Sequence, residues 1–213
     1  MWWAILLMAL AVPDAHQLAE AFEKHYRSIR TLKAVFLQSY QAGPGELEVE
    51  SGIAYFRRPG QMRWEYEVPE KKIFVLDGHT AWLYAPAERV VRRAPVRNME
   101  DWRVPLALLT GRADLKRLCG VLTRVPAQGG PGTEADHAEL LCMPKAGTPA
   151  QFRDALIGLD AQGRLVRVVV HQAGDVTTEI RFGAWLENLP LPASLFRFSP
   201  PPGVAVVNWQ VAP

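Results

Sequence analysis

The chain has 213 residues, of which 49% are hydrophobic, and a formal net charge of +2. This length suits one large β domain, and the apolar content excludes a generally disordered chain. The balanced charge argues against a nucleic-acid-binding protein, because basic doublets such as Arg57-Arg58 and Arg92-Arg93 are isolated and of the kind that is usually solvated.

The segment from Trp2 to Val12 is almost continuously apolar. A bilayer span takes about 20 residues, so this segment is too short to cross a membrane, but its length matches the apolar core of a secretory signal peptide. Ala9-Leu10-Ala11 and Ala15 offer cleavage points. We therefore expect a signal peptide over residues 1–15 and a single exported domain over residues 16–213. A buried N-terminal strand is the alternative.

A helix is predicted from Asp14 to Arg30, because apolar residues such as Phe22 recur at the i, i+3, i+4 spacing of one helical face. Asp14 can cap this helix, with Gln17 three residues later, as in a capping box. After Arg30 the apolar period changes to two, and turn signals recur at short intervals. This pattern predicts about eleven strands of an all-β arrangement.

Alternation within the strands predicts one large apolar face. In Met62 to Tyr66, the Met, Trp and Tyr side chains point one way and the Arg and Glu side chains point the other, because successive strand residues face opposite sides. A sheet of this size can close or partly close around a cavity. The residues expected to line it are Phe36, Met62, Trp64, Tyr66, Trp82, Tyr84, Ile180 and Phe182. For the tryptophans, plain core packing is the alternative.

A second helix is expected between Asn98 and Arg112, where the apolar run starting at Pro105 ends at Gly111. It holds too many apolar residues for a solvated loop, so we expect it to cover the mouth of the cavity together with the N-terminal helix. The predicted lid residues are Phe22, Leu106, Leu108 and Leu109. Ordinary helix packing is the alternative for the three leucines.

Cys119 and Cys142 are the only cysteines, and both lie in apolar stretches. An exported protein with two cysteines can form one disulfide. The bond is feasible if the stretches are neighbouring strands with Cα atoms within about 7 Å. Two buried thiols are the alternative.

No motif of a catalytic or metal site is present. None of the five histidines has the spacing of H-E-x-x-H, and neither a G-x-S-x-G elbow nor a phosphate loop occurs. We therefore expect no metal, no cofactor and no enzymatic activity, although a triad assembled from distant residues remains the alternative.

Four segments resemble the LolA family of outer-membrane lipoprotein carriers. They are Leu32 to Gln38, Gly52 to Trp64 with its Arg-Pro pair, Asp77 to Tyr84, and Phe196 to Val204. The segments occur in the family's order and span most of the chain. The resemblance implies a mainly β (α+β) fold, in which an unclosed antiparallel β-barrel encloses an apolar cavity under a helical lid.

The same resemblance implies a periplasmic carrier, which we expect to be a monomer without nucleic-acid partners. Such a carrier takes lipoproteins from an inner-membrane ABC transporter, shields their acyl chains and passes them to an outer-membrane receptor. Arg58 matches the family's Arg-Pro arginine, which is implied to hold the lid closed by hydrogen bonds to the lid backbone. A solvated turn arginine is the alternative for Arg58. A lipid-sensing module or a carrier of another lipid are the alternative functions.

Overall fold

The computed structural model describes residues 13–96, 115–127, 137–146 and 152–209. The apolar core of the predicted signal peptide lies outside the described residues. So do the predicted lid residues Leu106, Leu108 and Leu109.

Helix α1 spans Ala15–Ser28 and begins with the predicted capping box. The Gln17 backbone N–H donates to the Asp14 carboxylate, and the Asp14 backbone N–H donates to the Gln17 side-chain oxygen, both at 2.9 Å. Two of the otherwise unpaired N–H groups at the helix start are thereby satisfied. The buried face of α1 carries Phe22 and Tyr26, as the apolar spacing predicted.

Twelve strands form a single sheet in the described part of the chain, one more than the expected number. The order is β12-β6-β5-β4-β3-β2-β1-β11-β10-β9-β8-β7. Neighbouring strands are antiparallel except for β12 and β6, which are parallel. Because β7 and β12 stand at the two edges, the sheet is unclosed. The strands are β1 Thr31–Ala42, β2 Glu48–Arg57, β3 Gln61–Val68, β4 Lys72–Leu76, β5 Thr80–Ala85, β6 Val90–Pro95, β7 Cys119–Val125, β8 Ala138–Pro144, β9 Asp154–Leu159, β10 Leu165–His171, β11 Val176–Glu187 and β12 Ala205–Asn208. A short helix α2, Leu115–Leu118, precedes β7.

The main core lies between α1 and one side of the sheet, here called the inner face. Phe22 of α1 belongs to the same buried cluster as Phe36, Trp64 and Ile180 of the sheet. The Tyr26 hydroxyl of α1 accepts a hydrogen bond from the Leu165 backbone N–H at 3.1 Å. Burial raises the pKa of Tyr26, so this hydroxyl stays neutral in the core.

The opposite side of the sheet, here called the outer face, is partly covered by the chain that follows β11. Phe196, in a 3-10 turn over Ala193–Phe196, is fully buried. An Arg63 guanidinium N–H of β3 donates to the Leu195 carbonyl at 3.4 Å. This region of the outer face is therefore a second apolar layer rather than a solvated surface.

The outer face of β8 to β11 carries a network of buried charges. The Arg167 guanidinium donates to Glu139 at 2.5 Å and to Glu179 at 2.8 Å, and Arg181 also donates to Glu179 at 2.6 Å. Burial alone would raise the pKa of Glu179, but the hydrogen bonds from Arg167 and Arg181 outweigh it and lower that pKa. The network therefore joins three strands through paired charges.

A disulfide joins Cys119 and Cys142 on the paired strands β7 and β8, with Cα atoms 5.3 Å apart. The two residues are separated by 23 positions, and a closed loop of this size restricts the unfolded chain. We expect the Cys119→Ala, Cys142→Ala double variant to lose about 3 kcal/mol of unfolding free energy. Urea denaturation of both proteins measures the difference. Equal midpoints and equal slopes would contradict a stabilising role for the bond.

Candidate functional site

Aromatic side chains from neighbouring strands gather on the inner face. Phe36 of β1 lies 4.4 Å from Trp64 of β3 between ring centroids, and Trp64 lies 5.9 Å from Phe182 of β11. Phe182 in turn lies 5.3 Å from Trp185. We call the whole group the aromatic cluster, and its members are Phe36, Phe56, Trp64, Tyr66, Phe182 and Trp185.

Most of the residues predicted to line a cavity lie together in this region. They are buried, and all belong to the core cluster that packs with α1. They are Phe36, Met62, Trp64, Tyr66, Ile180 and Phe182. The inner face is therefore apolar across the centre of the sheet, where these side chains pack together in the core.

The prediction that Trp82 and Tyr84 line the same face was wrong. Leu83 is the cross-strand partner of Phe74, which is itself the partner of Trp64, so Leu83 and not Trp82 points inward. Trp82 and Tyr84 pack on the outer face against Phe198, with ring centroids 5.7 Å and 5.9 Å away. The physical reason is the second apolar layer, which makes both sides of β5 apolar and removes the alternation that would have identified the inner side.

Trp185 is an inner-face residue that the sequence pattern missed. Ile180 and Phe182 point inward, so simple alternation would send residue 185 outward. Instead, the pairing of β1 with β11 shifts between Lys33 and Val35, and Ala184 adopts a positive φ of 49°. This β-bulge resets the alternation and brings Trp185 against the core cluster. Gly183, an isolated glycine inside the strand, is the sequence signal that could have indicated this bulge.

Arg58 directly follows β2, in a groove of about 560 Å³ between the start of β1 and the loop after β11. Its backbone N–H donates to the Arg30 carbonyl at 3.0 Å. Within the described residues its guanidinium has no hydrogen-bond or ion-pair partner. Partial burial and the nearby charge of Arg27 both lower the pKa of Arg58. The side chain is therefore available to bind acceptors, and its role in holding a lid stays a prediction.

Helix α1 is anchored to the rest of the protein at several points. His25 pairs with Glu187 of β11 at 2.9 Å, and the Glu23 carboxylate accepts from the Leu115 backbone N–H of α2 at 3.1 Å. Phe22 is only 1% exposed and packs 4.6 Å from Tyr26 between ring centroids. α1 thus covers one part of the inner face as a fixed element, and whether Phe22 acts as a lid residue stays a prediction.

Two further features, a metal-binding cluster and a membrane-spanning helix, are absent from the described residues. Across those ranges, no group of three or more His, Cys, Asp or Glu side chains is placed to hold a metal ion. Nor do those ranges contain a helix with the length and apolar character needed to cross a membrane.

The fold and the sequence both match known proteins. A crystal structure of an uncharacterized conserved protein from Thermus thermophilus superposes with a TM-score of 0.56 at 15% identity, over 92% of this chain and 99% of that one, and it shows the fold alone. An outer-membrane lipoprotein carrier protein of Xanthomonas axonopodis pv. citri is 31% identical over 97% of this chain and 96% of its own length. One from Dechloromonas aromatica is 32% identical over 85% and 83%.

The family model described as outer membrane lipoprotein carrier protein LolA matches residues 27–199, which is most of the chain. This match begins at the end of α1, covers strands β1 to β11 and includes the whole aromatic cluster. Taken with the unclosed sheet and its apolar inner face, it shows that the chain belongs to the LolA family of outer-membrane lipoprotein carrier proteins.

Proposed function

We propose that this protein is a periplasmic carrier that binds the acyl chains of lipoproteins on its inner face. It receives them from a lipoprotein-releasing ABC transporter of the inner membrane and delivers them to a receptor on the outer membrane. The apolar surface around the aromatic cluster supports this proposal, together with the names of the relatives in the family. Such a carrier works by binding and release, without chemical turnover.

The free energy of exposing acyl chains to water explains why a carrier protein is needed. Burying a hydrocarbon chain is worth about 0.8 kcal/mol per CH₂ group, so several long chains would not cross an aqueous space unaided. The inner face offers rings at Phe36, Trp64 and Phe182 in place of water. The carrier must also release the lipoprotein. Part of the free energy of lipid binding therefore has to be offset by the loss of polar contacts that exist only in the empty protein.

Arg58 is the residue that we propose for this control of release. Its guanidinium presents five donors and is charged at all relevant pH values, and in the described residues these donors are unused. In the closed, empty protein they would bind backbone carbonyls of the predicted lid. Loading with lipid would break these bonds, which lowers the net affinity for lipid and permits delivery.

The Arg58→Leu variant is expected to fold and to accept lipoprotein, but to deliver it about 10- to 100-fold more slowly. Without the charged hydrogen bonds of Arg58 the empty, closed state is less stable, so the net affinity for lipid rises by a factor of this size. Transfer of a purified lipoprotein from the loaded variant to receptor-bearing vesicles measures the rate. Arg57→Leu is the matched control, because Arg57 neighbours Arg58 in the same groove. Delivery by Arg58→Leu at the wild-type rate would show that this residue does not control release.

The function itself is tested with native protein from periplasmic extracts. Mass spectrometry should find acylated lipoprotein or lipopeptide bound to it, and the purified protein should release lipoprotein from inner-membrane vesicles that contain the transporter. If it binds lipid but releases no lipoprotein, the carrier proposal fails, and binding to a membrane-anchored regulator would identify a sensor instead. A different co-purifying lipid would identify a carrier of that lipid.

A further inference from the structure

Two buried indole N–H groups on the inner face have no hydrogen-bond partner within the described part of the chain. They belong to Trp64 on β3 and Trp185 on β11. Both atoms are shielded from solvent, and Trp64 as a whole is only 1% exposed. Buried donors are almost always paired in folded proteins, so two unpaired donors in one region need a physical explanation.

The two donors belong to the same aromatic cluster. Phe182 packs against both indoles, with its ring centroid 5.9 Å from that of Trp64 and 5.3 Å from that of Trp185. Most of the surrounding side chains are apolar core residues, and neither N–H group is paired with an acceptor there. A phenylalanine at either position would bury a smaller ring but leave no donor unpaired, so the larger packing area of tryptophan is gained here at the cost of an unpaired N–H group.

The backbone holds Trp185 in this position at a cost in strain. Ala184 has a φ of 49°, a region that residues with a Cβ rarely adopt. The bulge at Ala184 is what turns Trp185 to the inner face, since regular alternation would place it outside. Strained backbone of this kind is often retained where it positions a functional side chain.

The outer-face tryptophan provides a contrast within the same protein. The Trp82 indole N–H donates to the Asp77 carboxylate at 3.0 Å, so its hydrogen-bonding capacity is met within the chain. The unpaired donors of Trp64 and Trp185 are thus not a feature shared by every tryptophan of this fold.

We propose that the Trp64 and Trp185 indole N–H groups donate hydrogen bonds to the carbonyl oxygens of bound acyl groups and so form a subsite for the polar end of the acyl chains. This inference rests on the proposed binding of acyl chains to the inner face. A carbonyl is a neutral acceptor that arrives covalently attached to each chain. A carboxylate or phosphate fits less well, because burying an anion in this apolar cluster without a cationic partner is strongly unfavourable.

The test compares two synthetic lipopeptides of equal chain length, one with two ester-linked acyl chains and one with ether-linked alkyl chains that lack the carbonyl oxygens. Wild-type protein should bind the ester form more tightly. Trp64→Phe and Trp185→Phe should each lower the ratio of ester affinity to ether affinity about 2- to 10-fold, because any loss of ring packing affects both forms alike and cancels in the ratio. A third lipopeptide, with an added N-acyl amide, shows whether the amide carbonyl uses the same donors.

Controls separate the carbonyl contact from ring packing. Trp82→Phe should leave the preference for the ester form unchanged. Phe182→Leu should lower the affinity for the ester and ether forms by the same factor. An isotope-edited infrared band of the ¹³C-labelled ester carbonyl should move to lower frequency on binding to wild type, and less so with Trp185→Phe. Because Trp185 is only partly buried, that variant keeps the test valid if Trp64→Phe does not fold.

The outcomes distinguish this inference from the function on which it rests. Equal affinity of wild type for ester and ether forms, with both bound tightly, overturns the carbonyl subsite and leaves the carrier proposal intact. Failure of wild type to bind either form overturns the carrier proposal and the subsite together.

Discussion

Replacing Leu83 with aspartate is expected to weaken acyl-chain binding about a hundredfold. Leu83 is a partly buried inner-face residue. Its cross-strand partner is Phe74, whose partner on the next strand is Trp64. A carboxylate among acyl chains costs about 3 kcal/mol, as it does at the centre of a bilayer, and this cost corresponds to roughly two orders of magnitude in affinity. Titration of a fluorescent lipopeptide into the folded variant measures the change.

The matched control is Leu37→Asp, at an outer-face position of β1 that is 47% exposed. The new charge there meets water, so lipopeptide affinity should stay at the wild-type value. Circular dichroism establishes that both variants are folded before binding is compared. If Leu83→Asp binds as tightly as wild type, or if Leu37→Asp weakens binding to the same extent, the acyl chains do not lie on the inner face.

Replacing Glu139 with alanine is expected to lower the free energy of unfolding by about 3–5 kcal/mol, the range found when one partner of a buried ion pair is removed. Glu139 is fully buried and accepts from Arg167, which is 8% exposed. The variant leaves the buried positive charge of Arg167 with one carboxylate fewer to balance it. Urea denaturation monitored by tryptophan fluorescence gives the difference.

The control for this prediction is the exposed pair of Arg92 with Glu88 at 2.6 Å, in which the side chains are 36% and 49% exposed. Glu88→Ala should change stability by less than about 1 kcal/mol, because solvent screens an exposed pair. A loss at Glu139 no larger than that at Glu88 would mean that the buried network contributes little to stability.

The local features of the fold could be predicted from the sequence because they depend on neighbouring residues. The capping box of α1 needs only Asp14 and Gln17, and both hydrogen bonds are present. The alternation from Met62 to Tyr66 gave the correct face because that strand has charged residues on its other side. In such cases the short-range pattern and the long-range packing favour the same structure.

The sequence was less informative where packing depends on distant segments. Trp82 and Tyr84 were assigned to the wrong face because Phe198, over a hundred residues later, covers the outer side of their strand. Trp185 was missed because the register between β1 and β11 shifts at Ala184. The ion network around Arg167 was also missed, since its members come from three strands and share no short motif.

Tryptophan fluorescence with brominated acyl chains tests most directly whether lipid lies on the inner face, because bromine quenches only indoles in close contact. A lipopeptide brominated along its chains should quench wild-type emission, and Trp64→Phe and Trp185→Phe should each remove a substantial part of that quenching. Trp82→Phe should leave it unchanged. Quenching that disappears with Trp82→Phe but persists in both inner-face variants would place the lipid on the outer face and contradict this account.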